Sequence, residues 1–328
     1  MSSNKANKME EELPYEEELK KLEDKITEAR ENFGDVEVRD AILDKAHFYL
    51  RKNQKDLAVK AYEEALGKTI GVSKKLEVVF YLQQIYLEEK NLEKLSEQID
   101  RSKKLLEEGG DWERKNKLKV YEGLYFIMVR KFKEAANLFL ESTPTFNAPE
   151  VISFDSLVFY TVLTSMVSLD RADIRKKVIH SPDILSVING HPTLKVFLES
   201  FYKCDYKSFF ASFLGIIQQI QDDPYLKIHK KYFVREMRVV IYSQFLESYK
   251  TVTLKNMADA FGVSVEFIDK ELSEFIATRR LSCKIDKISG IVESDKADKR
   301  NNLYLDALKK GDVLLNKLQK LSRIIDIQ

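Results

Sequence analysis

The stretch from about residue 232 to 325 restricts the possible folds most. Phe233, Met237, Ile241, Phe245 and Tyr249 recur at helical spacing and predict one long amphipathic helix. Thr253 is placed to cap a helix over 254–261, Gly262-Val263 makes a turn, and Ser264 caps a second helix over 265–278. In that second helix Val265, Ile268, Leu272, Phe275 and Ile276 form the apolar stripe. Residues 281–288 then alternate as a strand does, Ser289-Gly290 reverses the chain, and 291–293 return. Helix, turn, helix and a two-stranded wing specify a winged helix. A final helix over about 302–325 places Leu314, Leu318, Leu321 and Ile325 at 4-3-4 spacing, widened by Leu315 and Ile324. That is a coiled-coil-like seam. Residues 295–302 form a polar tether ahead of it, so the seam is expected to reach another chain rather than fold back.

Upstream the chain reads as helical hairpins. Residues 1–15 are polar and expected to be disordered, and 16–30 carries Glu/Lys pairs at i,i+4 that suit an exposed helix. Residues 40–51 and 54–66 make the first hairpin, with Leu57, Ala58, Ala61, Tyr62 and Ala65 on one face of its second helix. The pair Ala58/Tyr62 is echoed by Leu95/Ile99, Ala135/Phe139 and Phe209/Phe213. The first three copies are spaced by about 37–40 residues and the fourth by about twice that, close to the period of helix-turn-helix solenoids. An irregular all-α domain is the alternative. The fold class is therefore all-α with a small wing: a TPR-like solenoid over 16–225, a winged helix over 226–295, and a C-terminal assembly helix over 300–328. No break between them is long enough for a flexible linker, so solenoid and winged helix are expected to form one rigid body.

Composition narrows the function. Lysine and arginine (54) balance aspartate and glutamate (53), so no global field draws the chain to nucleic acid or an anionic membrane. Cys204 and Cys283 are far apart and suggest no disulfide framework, which fits the cytosol or nucleus. The polar N-terminus shows no signal peptide. The longest charge-free run, 156–169, falls short of the roughly 20 residues that span a bilayer.

No catalytic constellation emerges. Gly67-Lys68-Thr69 imitates the end of a phosphate-binding loop, but Tyr62 stands where the first glycine is needed and a helix precedes it. His47, His180, His191 and His229 lack metal-ligand spacing, and neither cysteine has a partner two residues away. No metal, cofactor or catalytic site is expected. The helix-turn-helix would suit DNA, yet its second helix carries Glu266, Asp269, Glu271 and Glu274 against Lys270 alone, which repels phosphate. The edge of a wing strand over 282–288 offers another use, pairing with a strand from a neighbouring subunit. Ser282, Lys284 and Asp286 lie along it, and alternating charge at Lys284, Asp286 and Lys287 would keep a lone edge soluble. Trp112, in Gly109-Gly110-Asp111-Trp112, reads as part of a packed turn in which Gly109 ends one helix and Asp111 caps the next, with an interface anchor as the alternative.

Helical repeats, a winged helix and a terminal helix in that order resemble PCI proteins. Within that group GGDWER at 109–114, NKLKVYEG at 116–123, YFVREMRVVIYSQFLE at 232–247, AFGVSVEFIDKEL at 260–272, LSCKIDKISGIVE at 281–293 and KKGDVLLNKLQKLSRII at 309–325 are similar to the non-ATPase regulatory subunit 6 family of the proteasome lid. The resemblance covers nearly everything after about residue 15. It implies a non-catalytic hetero-oligomeric subunit of the 26S regulatory particle, in cytoplasm and nucleus. The winged helix would dock other PCI subunits in a horseshoe. The seam residues Leu314, Leu315, Leu318, Leu321, Ile324 and Ile325 would enter a helical bundle, and the repeat arm would touch other regulatory-particle subunits, ATPases included. The resemblance implies that the lid's deubiquitinating metal site belongs to a different subunit. The family's usual further helical segment ahead of about residue 16 is missing or much shortened in this sequence. A PCI subunit of the signalosome is the alternative, and a winged-helix nucleic-acid regulator a remoter one.

Overall fold

The computed structural model describes residues 15–32, 34–294 and 299–325; the side chains of residues 16, 299–302 and 324–325 are not described. The expected N-terminal disorder and most of the polar tether fall outside these residues. The chain divides into two compact units, one of 1–191 with 221–229, the other of 192–220 with 230–328.

The first unit is a run of antiparallel helices: α1 (Tyr15–Asn32), α2 (Asp35–Arg51), α3 (Lys55–Lys68), α4 (Val72–Glu89), α5 (Leu92–Glu107), α6 (Trp112–Met128), α7 (Phe132–Ser142) and α8 (Phe154–Ser168). The small or apolar pairs picked out by period are its close-approach positions: Ala58, Tyr62, Leu95, Ile99, Ala135 and Phe139 are all buried. Gly123 of α6 lies under Phe139 of α7, where a Cβ would stand 2.5 Å from the ring. Leu57 departs from expectation. It is 43% exposed, because Ala58, Ala61 and Ala65 make the helix contact and Leu57 is turned away from them into an open groove beside α1.

The hairpin turns share one geometry. Asn53, Lys90 and Arg130 each adopt a left-handed backbone, with φ of 59°, 57° and 67°. After each, an amide closes on the carbonyl five residues back: Gln54 on Tyr49, Asn91 on Tyr86, Lys131 on Phe126. This is the Schellman stop, which satisfies the last carbonyls of the helix. It recurs at Cys204 (φ 60°), where Asp205 closes on Ser200. The turn thus repeats in step with the apolar pairs. Beyond α8 the pattern loosens into α9 (Arg171–Ile174), a π turn over Arg175–Ile179, and α10 (Pro182–Ile188).

Residues 221–229 are pinned to the first unit. The buried Tyr160 hydroxyl donates to Asp223 Oδ2 (2.6 Å), and Asp223 Oδ1 accepts the amides of Tyr225 and Leu226 (both 2.8 Å). His229 Nε2 lies 2.7 Å from the Met128 carbonyl.

The second unit begins with α11 (Pro192–Lys203) and α12 (Tyr206–Asp222), then α13 (Lys230–Ser248), β1 (Thr251–Thr253), α14 (Leu254–Phe261), α15 (Val265–Ala277), β2 (Cys283–Asp286), β3 (Ile291–Ser294) and α16 (Lys299–Ile325). Helices α11 and α12, placed in the solenoid by the sequence pattern, pack here through rings. Phe197 stacks on Phe209 and Phe213, Phe213 reaches Phe233, and Tyr206 meets Phe245 and Phe261. Their turn still obeys the repeat, so the fourth copy is a repeat hairpin built into the winged-helix unit.

The caps of the winged helix are those expected. Thr253 Oγ1 accepts the Asn256 amide (3.2 Å) and Ser264 Oγ that of Phe267 (3.3 Å). Gly262 ends α14 at φ 68°, a conformation an L side chain strains to adopt. The stripe on α15 is narrower than expected: Ile268, Leu272 and Phe275 are buried, while Val265, in the first turn, is 42% exposed. The wing has three strands rather than two, in the order β1-β3-β2, with both pairings antiparallel. Val292 is fully buried between Val252 and Ile285.

Candidate assembly surface

Two features of the second unit hold the residues that the sequence picks out for contact with other chains. The first is the wing. In the sheet order β2 is an edge strand, paired on one side with β3. Its buried face is set by Cys283, with Ile285 half-buried, so Ser282, Lys284 and Asp286 are exposed along the opposite face or the strand end. They do not form one cluster. Lys284 sits across from Glu293, a favourable opposite-charge pair. Asp286 closes the wing turn instead: Oδ1 accepts the Ile288 amide (2.9 Å) and Oδ2 the Ser289 hydroxyl (2.5 Å). The Ser289 hydroxyl and these turn amides hold its carboxyl below the usual carboxylate range. Ile288, at the tip, is fully exposed.

The second feature is α16. Leu314, Leu315, Leu318 and Leu321 are 60%, 57%, 53% and 56% exposed, and Leu303, Tyr304 and Leu308 are likewise exposed. The helix backbone runs through the expected Ile324 and Ile325, whose side chains lie outside those described. These apolar side chains are uncovered along the helix from Leu303 to Leu321.

The acidic side of α15 is less acidic than its sequence. Glu271 turns inward, accepting the buried Tyr242 hydroxyl at Oε2 (2.6 Å) and the Arg238 guanidinium at Oε1, which ties α15 to α13. Burial pushes the Tyr242 phenol up to about 12, an effect Arg238 partly offsets. Asp269 pairs with Lys287 of the wing turn (3.2 Å). Glu266 and Glu274 remain exposed. The sequence counted Glu271 among the surface acids; its place one turn from Ile268 and Phe275, beside the apolar stripe, is the one signal that it turns inward.

Other singled-out residues are structural. Gly67-Lys68-Thr69 lies at the C-terminal end of α3, where carbonyls rather than amides face outward, the wrong polarity for phosphate. Thr69 donates there to the Ala65 carbonyl (2.6 Å). His47 hydrogen-bonds the Tyr62 hydroxyl through Nδ1 (2.9 Å) and meets the Tyr81 ring edge-on, and desolvation lowers its pKa. Asp111 occupies the N-cap position of α6, but its carboxylate is held by Arg114 rather than by a helix amide. Arg114 also reaches Glu77 (2.6 Å). Gly110 packs on Leu106, so the turn is structural as expected, whereas the Trp112 indole is 65% exposed and outside it. Among the described residues no group of three or more His, Cys, Asp or Glu could hold a metal, and no helix is long and apolar enough to cross a membrane.

This arrangement has known counterparts. The family described as 26S proteasome subunit RPN7 matches residues 4–177, just over half of the chain. The chain belongs to the RPN7 family of 26S proteasome subunits. The PCI domain matches 214–296, the winged-helix region, and the RPN7/PSMD6 C-terminal helix matches 304–325, which is α16. Relatives of this RPN7-family chain include the 26S proteasome non-ATPase regulatory subunit 6 homolog of Arabidopsis thaliana, 52% identical over 95% of this chain and 81% of the relative. RPN7 of Saccharomyces cerevisiae is 39% identical over 97% of this chain and 77% of the relative. COP9 signalosome complex subunit 1 of Arabidopsis thaliana is more distant, 27% identical over 60% of this chain and 45% of the relative. The solenoid, the winged helix and the exposed terminal helix are therefore the three parts of an RPN7-type PCI subunit.

Proposed function

We propose that this chain is a non-catalytic scaffold of the lid of the 26S proteasome regulatory particle, acting in cytoplasm and nucleus as one member of a hetero-oligomer. The observation that carries this is α16, a 27-residue amphipathic helix whose leucines are uncovered, directly behind a winged helix with an open edge strand. Its seam would join a bundle of C-terminal helices, and Ser282, Lys284 and Asp286 would border the β2 edge where a neighbouring PCI subunit adds a strand. The repeat arm would reach further subunits of the particle, ATPases among them. Asp223, Glu271, His47 and His229 are taken up in structural hydrogen bonds, which supports binding over catalysis. The exposed acids of α15 favour a protein partner over a polyanion.

The test is affinity purification of the tagged chain from its own cells, beside a chain ending at Lys299 and a Leu318→Asp variant. Each leucine buried on assembly contributes roughly 1 kcal/mol, given that about half of it is already covered, and a buried aspartate costs several more. Full chain should recover lid subunits and proteasome ATPases. Both variants should lose them at least 100-fold while keeping the melting temperature of the free chain. Normal incorporation of Leu318→Asp would refute the seam. Recovery of signalosome subunits, nucleic acid or no partner would overturn the lid assignment.

A further inference from the structure

The charge pattern of α16 specifies what lies against it. With Leu314 and Leu321 at d and Leu318 at a of the heptad, the g flank presents Lys310 and Lys317 beside the seam and Leu303 nearer the start of the helix, and the e flank presents Leu308, Leu315 and Ser322. All six are exposed. The apolar side chains thus sweep roughly 140° of the circumference at 3.6 residues per turn, wider than the a/d stripe one partner helix covers. The helix carries seven lysines and arginines against Asp306 and Asp312. No acid stands at a g or e position among its described side chains.

We propose that, within that bundle, the helix lying along the g flank of α16 carries acidic side chains opposite Lys310 and Lys317. This rests on the reading of α16 as an assembly helix. The e flank is uncharged and extends the leucine face, which suits a second, apolar contact. Next to the seam leucines 314, 318 and 321 the g flank offers Lys310 and Lys317, so a neighbour over that stretch must supply carboxylates or leave two ammonium groups crowded against apolar surface. A second copy of this chain does not fit, because it would bring the same cationic excess. A lipid surface fits poorly as well. A helix lying in a membrane interface flanks its apolar face with cations on both sides, whereas here the e side has none.

The test compares two double charge reversals in the full chain. Lys310→Glu/Lys317→Glu alters the g flank, and Lys309→Glu/Lys320→Glu makes the same net change on the back of the helix. Incorporation into the lid in cells should fall about ten-fold for the first pair and stay at the parental level for the second. Cross-linking locates the partner helix, and reversing its facing acids to lysine should restore incorporation of the first pair. An equal loss for both pairs would overturn the proposal, since net charge would then suffice. So would sedimentation of the full chain with phosphatidylserine vesicles that both pairs abolish alike. If Leu318→Asp blocks incorporation and Lys310→Glu/Lys317→Glu does not, the acidic flank is wrong and the scaffold reading stands. If neither has an effect, both fail.

Discussion

Replacing Glu271 with alanine tests the joint between α13 and α15. The carboxylate is only 12% exposed, and it is the acceptor for both the Tyr242 hydroxyl and Arg238. Tyr242 is fully buried, so losing its acceptor orphans a hydroxyl that water does not reach, at a cost of about 1–3 kcal/mol. Arg238 is 26% exposed and recovers some hydration, so its loss adds only about 1 kcal/mol. Glu271→Ala should therefore weaken the joint by about 3 kcal/mol. Tyr242→Phe removes donor and need together and should cost about 1 kcal/mol. In a Tyr242→Phe background the alanine change orphans no hydroxyl, so the two substitutions should be non-additive by about 1–2 kcal/mol. The single tryptophan, Trp112, lies in the other unit and does not report on this joint. Amide hydrogen exchange of the α13 and α15 peptides does, because it reads the opening free energy locally. A Glu271→Ala change below about 0.5 kcal/mol, or strict additivity of the pair, would show that the contact does not hold the two helices together.

Two further outcomes follow from other contacts. Burial pushes Tyr242 and Tyr225 up to about 12, and Tyr62, Tyr121 and Tyr160 higher still. Unfolded tyrosines ionise near 10, so between about pH 10 and 12 the unfolded chain gives up protons the folded chain keeps. This contribution is complete below pH 10 and lost as pH rises towards 12; urea midpoints should fall over that window, and less steeply for Tyr242→Phe. Gly123→Ala would drive a methyl into the Phe139 ring and should cost about 1–3 kcal/mol, read as a lower thermal midpoint and partly relieved by Phe139→Leu.

Local signals in the sequence were those whose physics is local. Thr253 and Ser264 announce helix starts because a hydroxyl accepts an amide three residues on, and Gly262 announces a stop because of its backbone. The repeat pairs were visible because close helix approach demands particular residues at fixed spacing. What escaped depends on distant partners. Strand β1 has three residues and exists only because β3 comes to pair with it. Glu271 looks like a surface acid until Tyr242 and Arg238 arrive from another helix. Val265 and Leu57 have apolar side chains at positions where no neighbour approaches. The membership of α11 and α12 in the second unit rests on aromatic stacking across elements, which no period reveals. Of the candidate assembly surface, the leucines of α16 were legible as a stripe at 4-3 spacing and lie uncovered. Asp286 was read as an edge residue and is occupied in closing a turn.

The hairpin turns carry a consequence for how the chain lives and dies. Each stops its helix with a left-handed residue, and at Asn53, Lys90, Arg130 and Cys204 that residue is not glycine. Such a backbone costs an ordinary side chain roughly 1 kcal/mol. An isolated hairpin starts in deficit and recovers only when the next repeat covers its face. The arm therefore resists piecemeal melting, but a single nick removes neighbours that several turns rely on. A damaged copy would expose a long stretch at once, making it an easy target for degradation, the fate its own complex imposes on others.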